Sequence, residues 1–519
     1  MPAARPPFRA ACLSALIAWC VYAATTGGSF ATDLASYEVT RALVEERSVA
    51  MRYNVLDTEH ERGPDGRFYA PVGIGHPVFG IPFYLGARAA MAAGLRAGKP
   101  ESLTKAAVVF GSTVAAAGCV FFSVLLGWFL SGDRRAAVTA GLLVAFATPL
   151  WVYSKFGFNA PLAALALTAS AAGICAGARA NHLGLLVAGG VALGCGVLTR
   201  HEMVFGFAPA ALYLAIVAGD RRRRLRWLLA AGAPVAVAAG LWMWYNAARF
   251  GHPLDTGLLR DPNVRLDTPI VIGLHGLLLS PGRSLLVYAP VTIAGVAALW
   301  ALRRAMGPLA IYCGSTALLF LLLIAKMHQW DGGESYGPRY LVPILPFVTL
   351  PVALWLRPTA PRRARRIVGV LAVAGLLVQV PGVLVDFNKA QLAFARSRAD
   401  YSIALTRYTW DGAPLSLNTR VALVAVPENA RYLAGLDTPP VAAATSDESD
   451  RGFSQQFAFS LDFWWLYLFY LGALPRWAAI AAPLVLGAAA AWLGHRLLGH
   501  LRRDDGIDAA AAPSLSARR

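Results

Sequence analysis

The chain returns again and again to apolar runs about as long as a lipid bilayer is thick. They fall near 8–26, 105–130, 136–153, 160–178, 183–199, 203–219, 228–245, 284–302, 308–326, 341–356, 367–385 and 476–498. Roughly 20 apolar residues are what a helix needs to cross the hydrocarbon core. In lipid a backbone must satisfy its own hydrogen bonds, so only helices and closed barrels can span. Barrel strands alternate in polarity, whereas these runs are unbroken. The expected fold is therefore an all-α polytopic membrane protein with about twelve transmembrane helices. Of the 519 residues 57% are hydrophobic and 15% charged, where a soluble domain carries about 25% charged residues.

Basic residues between the runs sit on one side. Arg5 and Arg9, Arg134 and Arg135, Arg179, Arg221 to Arg224 with Arg226, Arg303 and Arg304, Arg362 to Arg366, and Arg496, Arg502 and Arg503 all fall there. The positive-inside rule makes that side cytoplasmic. The net charge of +18 is then topology and contact with anionic lipid, and no nucleic-acid partner is expected. The chain reads as a multi-pass protein of the inner (plasma) membrane with both termini cytoplasmic. Residues 8–26 could be taken for a signal peptide; an uncleaved first helix is preferred because many spans follow. All six cysteines (Cys12, Cys20, Cys119, Cys175, Cys195 and Cys313) lie in apolar runs. They fit small core hydrophobes rather than a disulfide or zinc framework.

The organisation that follows is a transmembrane core over 1–385 with an outer loop at 27–104, and an outer (periplasmic) segment at 386–475. A last transmembrane helix at 476–503 and a disordered cytoplasmic tail at 504–519 complete it. The outer loop collects carboxylates: Asp33, Glu38, Glu45, Glu46, Asp57, Glu59, Glu61 and Asp65. Within it, 34–47 reads as a short surface helix opened by Thr32 or Asp33 as N-cap, with Leu34, Tyr37 and Arg41 on one side. Residues 76–95 are apolar but broken by Pro77, Pro82 and Arg88, and suit an interfacial or re-entrant helix. In 386–475, residues 420–426 read as strand-like. The aromatic stretch 457–470, with Trp464, Trp465, Tyr467 and Tyr470, suits a membrane interface.

Asp33 lies just past the outer end of the first run. A carboxylate at that boundary can stay ionised and take a proton from a hydroxyl; capping a helix is the competing reading. The stretches TDLASYEVTRALVEERSV and DGRFYAPVGIGHPVFGIPFY resemble the first outer loop of GT-C glycosyltransferases, the group that includes protein O-mannosyltransferases and aminoarabinose transferases. Asp33 matches that group's acidic position and Tyr37 the tyrosine that follows. The chain departs from the pattern in having Leu34 where many members carry a second acid, and no Lys between Asp33 and Pro82.

A second stretch, WDGGESYGPRYLVPILP at 330–346, puts Arg339 at the outer mouth of a span. A charge at that depth is costly unless paired or bound to an anion, and its planar fork suits phosphate; an Arg snorkelling to the interface is the alternative. The RYLxPxLP pattern resembles one found near the lipid-phosphate site of GT-C members, which implies the same for Arg339 and Tyr340. Lys326 and His328 are possible helpers, and Asp331 and Glu334 further acids or turn residues. The loop 244–290 offers Arg249, His252, Asp255, His275 and Arg283, of which Arg283 is the second choice for a phosphate contact. Arg200 and Glu202 read as a self-paired turn, though in relatives a basic residue there lines the donor cavity. The histidines expected on the outer side (His60, His76, His252, His275 and His328) show no i,i+4 pair. No cofactor is required by these motifs, and a divalent metal stays open.

The resemblance implies an enzyme that moves a sugar from a polyprenyl-phosphate donor to a hydroxyl on a glycan, lipid or protein acceptor. Asp33 would be the base and Arg339 the phosphate contact, with Tyr37, Arg283, Lys326, Tyr340 and His328 around the substrates. The alternatives are a transporter or flippase of a lipid-linked saccharide, or a non-catalytic envelope assembly protein. A transporter would need polar groups within its spans and paired broken helices.

Overall fold

The structure is a computed structural model and describes residues 6–28, 33–53, 62–94, 100–257, 260, 265–437 and 461–510, of which 504–510 in backbone only. Asp57, Glu59, Glu61, His60 and Thr32 lie outside the described residues. What is described is almost wholly helical. The only strands among the described residues are Ala50–Met51 (β1) and Phe68–Tyr69 (β2), antiparallel, with Ala50 opposite Tyr69 and Met51 opposite Phe68.

Among the described residues, 7 helices are long and apolar enough to cross a membrane. They are Pro100–Ser131, Ala160–Ala180, Arg221–Phe250, Pro308–Lys326, Arg339–Leu356, Arg362–Leu384 and Arg476–Arg503. Each falls on an expected span; the other expected spans are shorter or broken. The run 136–153 is split into Arg134–Phe146 and Leu150–Ser154 around Pro149, and 284–302 into Leu285–Tyr288 and Val291–Ala301 around Pro290. Proline lacks the N–H that would continue the ladder. Small residues then let helices approach closely. A Cβ on Gly190 would collide with the backbone oxygen of Ala231, so Leu183–Thr199 lies directly against Arg221–Phe250.

The first helix, Phe8–Ala24 (α1), packs on Pro100–Ser131 (α4) and on the last helix. Between them come Leu34–Glu45 (α2) and Gly75–Ala92 (α3). The expected surface helix at 34–47 forms, but it is not on the surface. Ala35 to Ala42 are all buried, while Leu34 is exposed. Its polar side chains find partners inside: Ser36 Oγ lies 2.7 Å from His76 Nδ1, Thr40 Oγ1 donates to Pro77 O, and the Tyr37 hydroxyl meets Thr104 Oγ1.

Three expectations change toward the C-terminus. The strand-like run at 420–426 lies inside a helix, Pro414–Ala434. Asn418 on that helix donates to the carbonyls of Pro381 and Val385 at the end of Arg362–Leu384. Tertiary contacts override a β-branched run that has no sheet to join. The aromatic helix Trp464–Tyr470 does not simply face lipid: Tyr467 and Tyr470 are buried, and the indoles of Trp464 and Trp465 donate to Ala23 O and Ala24 O. It clamps the frayed end of α1, whose last carbonyls have no helical partner. The last helix runs on to Ala510, so the break expected at 503 is not seen in the backbone.

Candidate functional site

The site is assembled around one turn, residues 155–158, between two helices. Gly27 N–H donates to Lys155 O and Asp33 N–H to Gly157 O, so this turn fixes both ends of the link from α1 to α2. Asp33 has extended backbone angles, and its Oδ1 accepts from Ser36 N–H at 3.3 Å as the N-cap of α2. Burial pushes the Asp33 carboxyl above its ordinary value; the Ser36 N–H, the charge of Arg339 and the Ala35 N–H pull it back.

Arg339 stands across from it. The chain reaches Arg339 through a turn in which Gly332, Gly333 and Gly337 all take positive φ, a region other residues rarely enter. Its guanidinium carbon lies 5.4 Å from the Phe158 ring centroid and 5.2 Å from that of Tyr340. Its hydrogen-bond contact is with the Tyr340 hydroxyl at 3.5 Å, and no ion-pair partner for it occurs among the described residues. Arg200 lies 5.1 Å from the same Tyr340 ring and is paired with Glu202. Asp33, Phe158, Arg200, Arg339 and Tyr340 thus meet in one place. Cations held over aromatic faces keep their charge while their N–H groups stay available to an anion.

The other candidates go elsewhere. Arg283 is fully buried and donates to Gly282 O, Gly333 O, Gln391 Oε1 and Thr406 Oγ1. It staples the glycine turn to the helices that follow Arg362–Leu384, which explains why a charge near a span end need not face a ligand. Lys326 ends its helix, and His328 is exposed on Asp267 at 3.0 Å; neither bonds to Arg339. Tyr37 is buried with its hydroxyl 2.6 Å from Thr104 Oγ1, near the start of α4. In the loop 244–290, Arg249 is buried and donates to the carbonyls of Ala70, Val72 and Tyr245. Asp255 pairs with Arg260, His252 caps Leu254 N–H, and His275 stacks on Tyr408. Asp331 is buried against Arg407, while Glu334 is exposed. No cluster of three metal-ligating side chains occurs among the described residues.

The sequence reading missed a polar cluster that starts from Lys155 on the 155–158 turn. Lys155 Nζ is 3.0 Å from Asp462 Oδ2 and donates to Val383 O; both side chains are buried. Asp386 caps the next helix, Phe387–Arg396, and Lys389 of that helix donates to the Tyr467 hydroxyl. Burial and the nearby Asp462 push the Asp386 carboxyl up, with Lys389 and Lys155 opposing. The visible signal was a lone Lys in an apolar context, WVYSKFGF.

No family model matches the chain, and no curated protein does. Among solved structures it is similar to ArnT from Cupriavidus metallidurans. Against the form bound to undecaprenyl phosphate the TM-score is 0.49 at 17% identity, covering 94% of this chain and 76% of that one. The apo form of ArnT gives a TM-score of 0.49 at 18% identity with the same coverage. It is also similar to the apo oligosaccharyltransferase of Archaeoglobus fulgidus, with a TM-score of 0.49 at 12% identity over 76% of this chain and 58% of that one.

Proposed function

We propose that the chain is a membrane glycosyltransferase that takes its sugar from a polyprenyl-phosphate donor at the outer face of the inner membrane. The observation that carries this is an Asp33 carboxyl, set at the start of α2, that lies within the field of an Arg339 guanidinium with aromatic faces around it and no ion-pair partner among the described residues. Such a guanidinium is suited to grip a phosphate. The acceptor hydroxyl attacks the anomeric carbon and gives its proton to Asp33. The bond from that carbon to the phosphate oxygen breaks, and the polyprenyl phosphate leaves with its charge held by Arg339. One displacement inverts the anomeric centre. Tyr340 and Arg200 border the phosphate, and the lipid tail of the donor explains why the chain needs no nucleotide-binding fold. The acceptor is a glycan, lipid or protein hydroxyl.

The test is Asp33→Asn in purified, lipid-reconstituted protein supplied with a polyprenyl-phosphate sugar. Loss of a positioned base costs about 10²–10⁴ in rate, so transfer should fall by that much while the lipid donor still binds. Transfer at the unsubstituted rate would remove the mechanism, and a transporter or scaffold would then be the better reading.

A further inference from the structure

One buried ion pair takes no part in the proposed chemistry yet reaches both of its groups. Lys155 and Asp462 have side chains 0% and 1% exposed, with Nζ 3.0 Å from Oδ2. Lys155 Nζ also donates to Val383 O at 2.7 Å and lies 5.2 Å and 5.8 Å from the ring centroids of Phe156 and Phe463. Asp462 N–H donates to Leu384 O at 2.8 Å. The pair therefore ties the 155–158 turn to the end of Arg362–Leu384 and to the residues that lead into the aromatic helix Trp464–Tyr470. The corner has no slack: a Cβ on Gly27 would stand 2.8 Å from Asp462 Oδ2 and 3.3 Å from Lys155 O. So enclosed, neither charged side chain can touch a substrate.

What the turn carries gives the pair its use. Gly157 O accepts the Asp33 N–H at 3.3 Å, which sets the start of α2, and the Phe158 ring lies beside the Arg339 guanidinium. The proposed base and the proposed phosphate grip thus lean on adjacent residues of one turn, and Lys155 anchors that turn. Replacing a buried ion pair with apolar side chains of similar volume is often neutral or stabilising, so stability is a weak reason to keep one here. Geometry is a stronger reason, since a misplacement of about 1 Å can cost about 10²-fold in rate. We infer that Lys155 and Asp462 are a positioning pair: they set where Asp33 stands relative to Arg339, and so couple the C-terminal aromatic segment to the transfer step. The catalytic consequence rests on the transfer reading; the mechanical link to Asp33 does not.

The experiment compares the full chain in lipid nanodiscs with the double variant Lys155→Met/Asp462→Leu, which removes both charges and keeps the corner filled. Asp462→Asn, which keeps an acceptor for Lys155, decides the matter if the double variant does not fold by size-exclusion profile. Three quantities are read: hydrogen–deuterium exchange of the peptide that spans Asp33, affinity for undecaprenyl phosphate, and the transfer rate per lipid-binding molecule. Exchange at Asp33 should quicken about tenfold while that of Arg221–Phe250 stays put. Affinity for the lipid phosphate should change by no more than about threefold, and transfer should fall by about tenfold or more. A purely structural role would lower the number of lipid-binding molecules and leave the rate of each one intact. Parent-level exchange at Asp33, exchange that rises equally in Arg221–Phe250, or a parent-level rate per binding molecule overturns the inference. Asp33→Asn separates the two claims. If it keeps transfer, the proposed chemistry falls, while faster exchange at Asp33 in the pair variant still upholds the link.

Discussion

Arg283 and Arg339 occupy similar places in the sequence, each beside the start of an apolar run, yet the fold uses them in opposite ways. Arg283 is enclosed and spends its two terminal nitrogens on Gly282, Gly333, Gln391 and Thr406, leaving its Nε buried without a partner. Arg339 is half-buried between Phe158 and Tyr340 and touches one hydroxyl at the edge of hydrogen-bond range. The first arginine holds the turn that presents the second. A guanidinium can therefore be a brace or a binding group depending on whether protein acceptors have already filled its fork.

The comparison breaks most visibly in activity. Arg339→Ala should cut transfer about 10²–10³-fold, the loss typical of one group that stabilises developing charge, with stability changed by about 1 kcal/mol or less. An equal loss in Arg283→Ala, measured per folded molecule, would erase the distinction. Arg283→Ala should instead act on the fold. Leaving several buried acceptors without a donor should cost roughly 3 kcal/mol, read as a lower unfolding midpoint in mild detergent. A variant as stable as the parent would show that the staple is dispensable.

The smallest effect is in the pH profile. Asp33 must be ionised to act as a base, and burial pushes its titration above the ordinary aspartate value. The acid limb of the rate should therefore lie higher than for an exposed carboxylate, with activity lost as pH falls through it. Arg339 is among the groups that pull the carboxyl back down. Removing that charge in Arg339→Gln should move the acid limb to higher pH, in whatever activity remains, whereas Arg283→Gln should leave the limb in place. A limb unmoved by Arg339→Gln would mean that the two side chains do not communicate.

Much of this was open to inspection in the chain itself. The apolar runs predicted the long helices, and the capping pattern at Asp33 predicted α2 because a carboxylate before an amphipathic run is a local signal. The glycines ahead of Arg339 marked a turn for the same local reason. The error at 420–426 came from treating Val and Leu as strand formers, when a helix with Pro414 at its start and Gly435 at its end could place Asn418 on two carbonyls of another segment. The Lys155–Asp462 pair was invisible because its members are separated by most of the chain and meet only when the aromatic helix folds over the end of α1.

Hydropathy and charge asymmetry thus determined by themselves that this chain would be a set of apolar helices with an acidic loop after the first, since both depend on the composition of short stretches. Which arginine stays available and which tyrosine is walled in were decided only by tertiary structure. Those outcomes depend on hydrogen-bond partners brought together from distant segments, and no local pattern records whether a buried donor will find one.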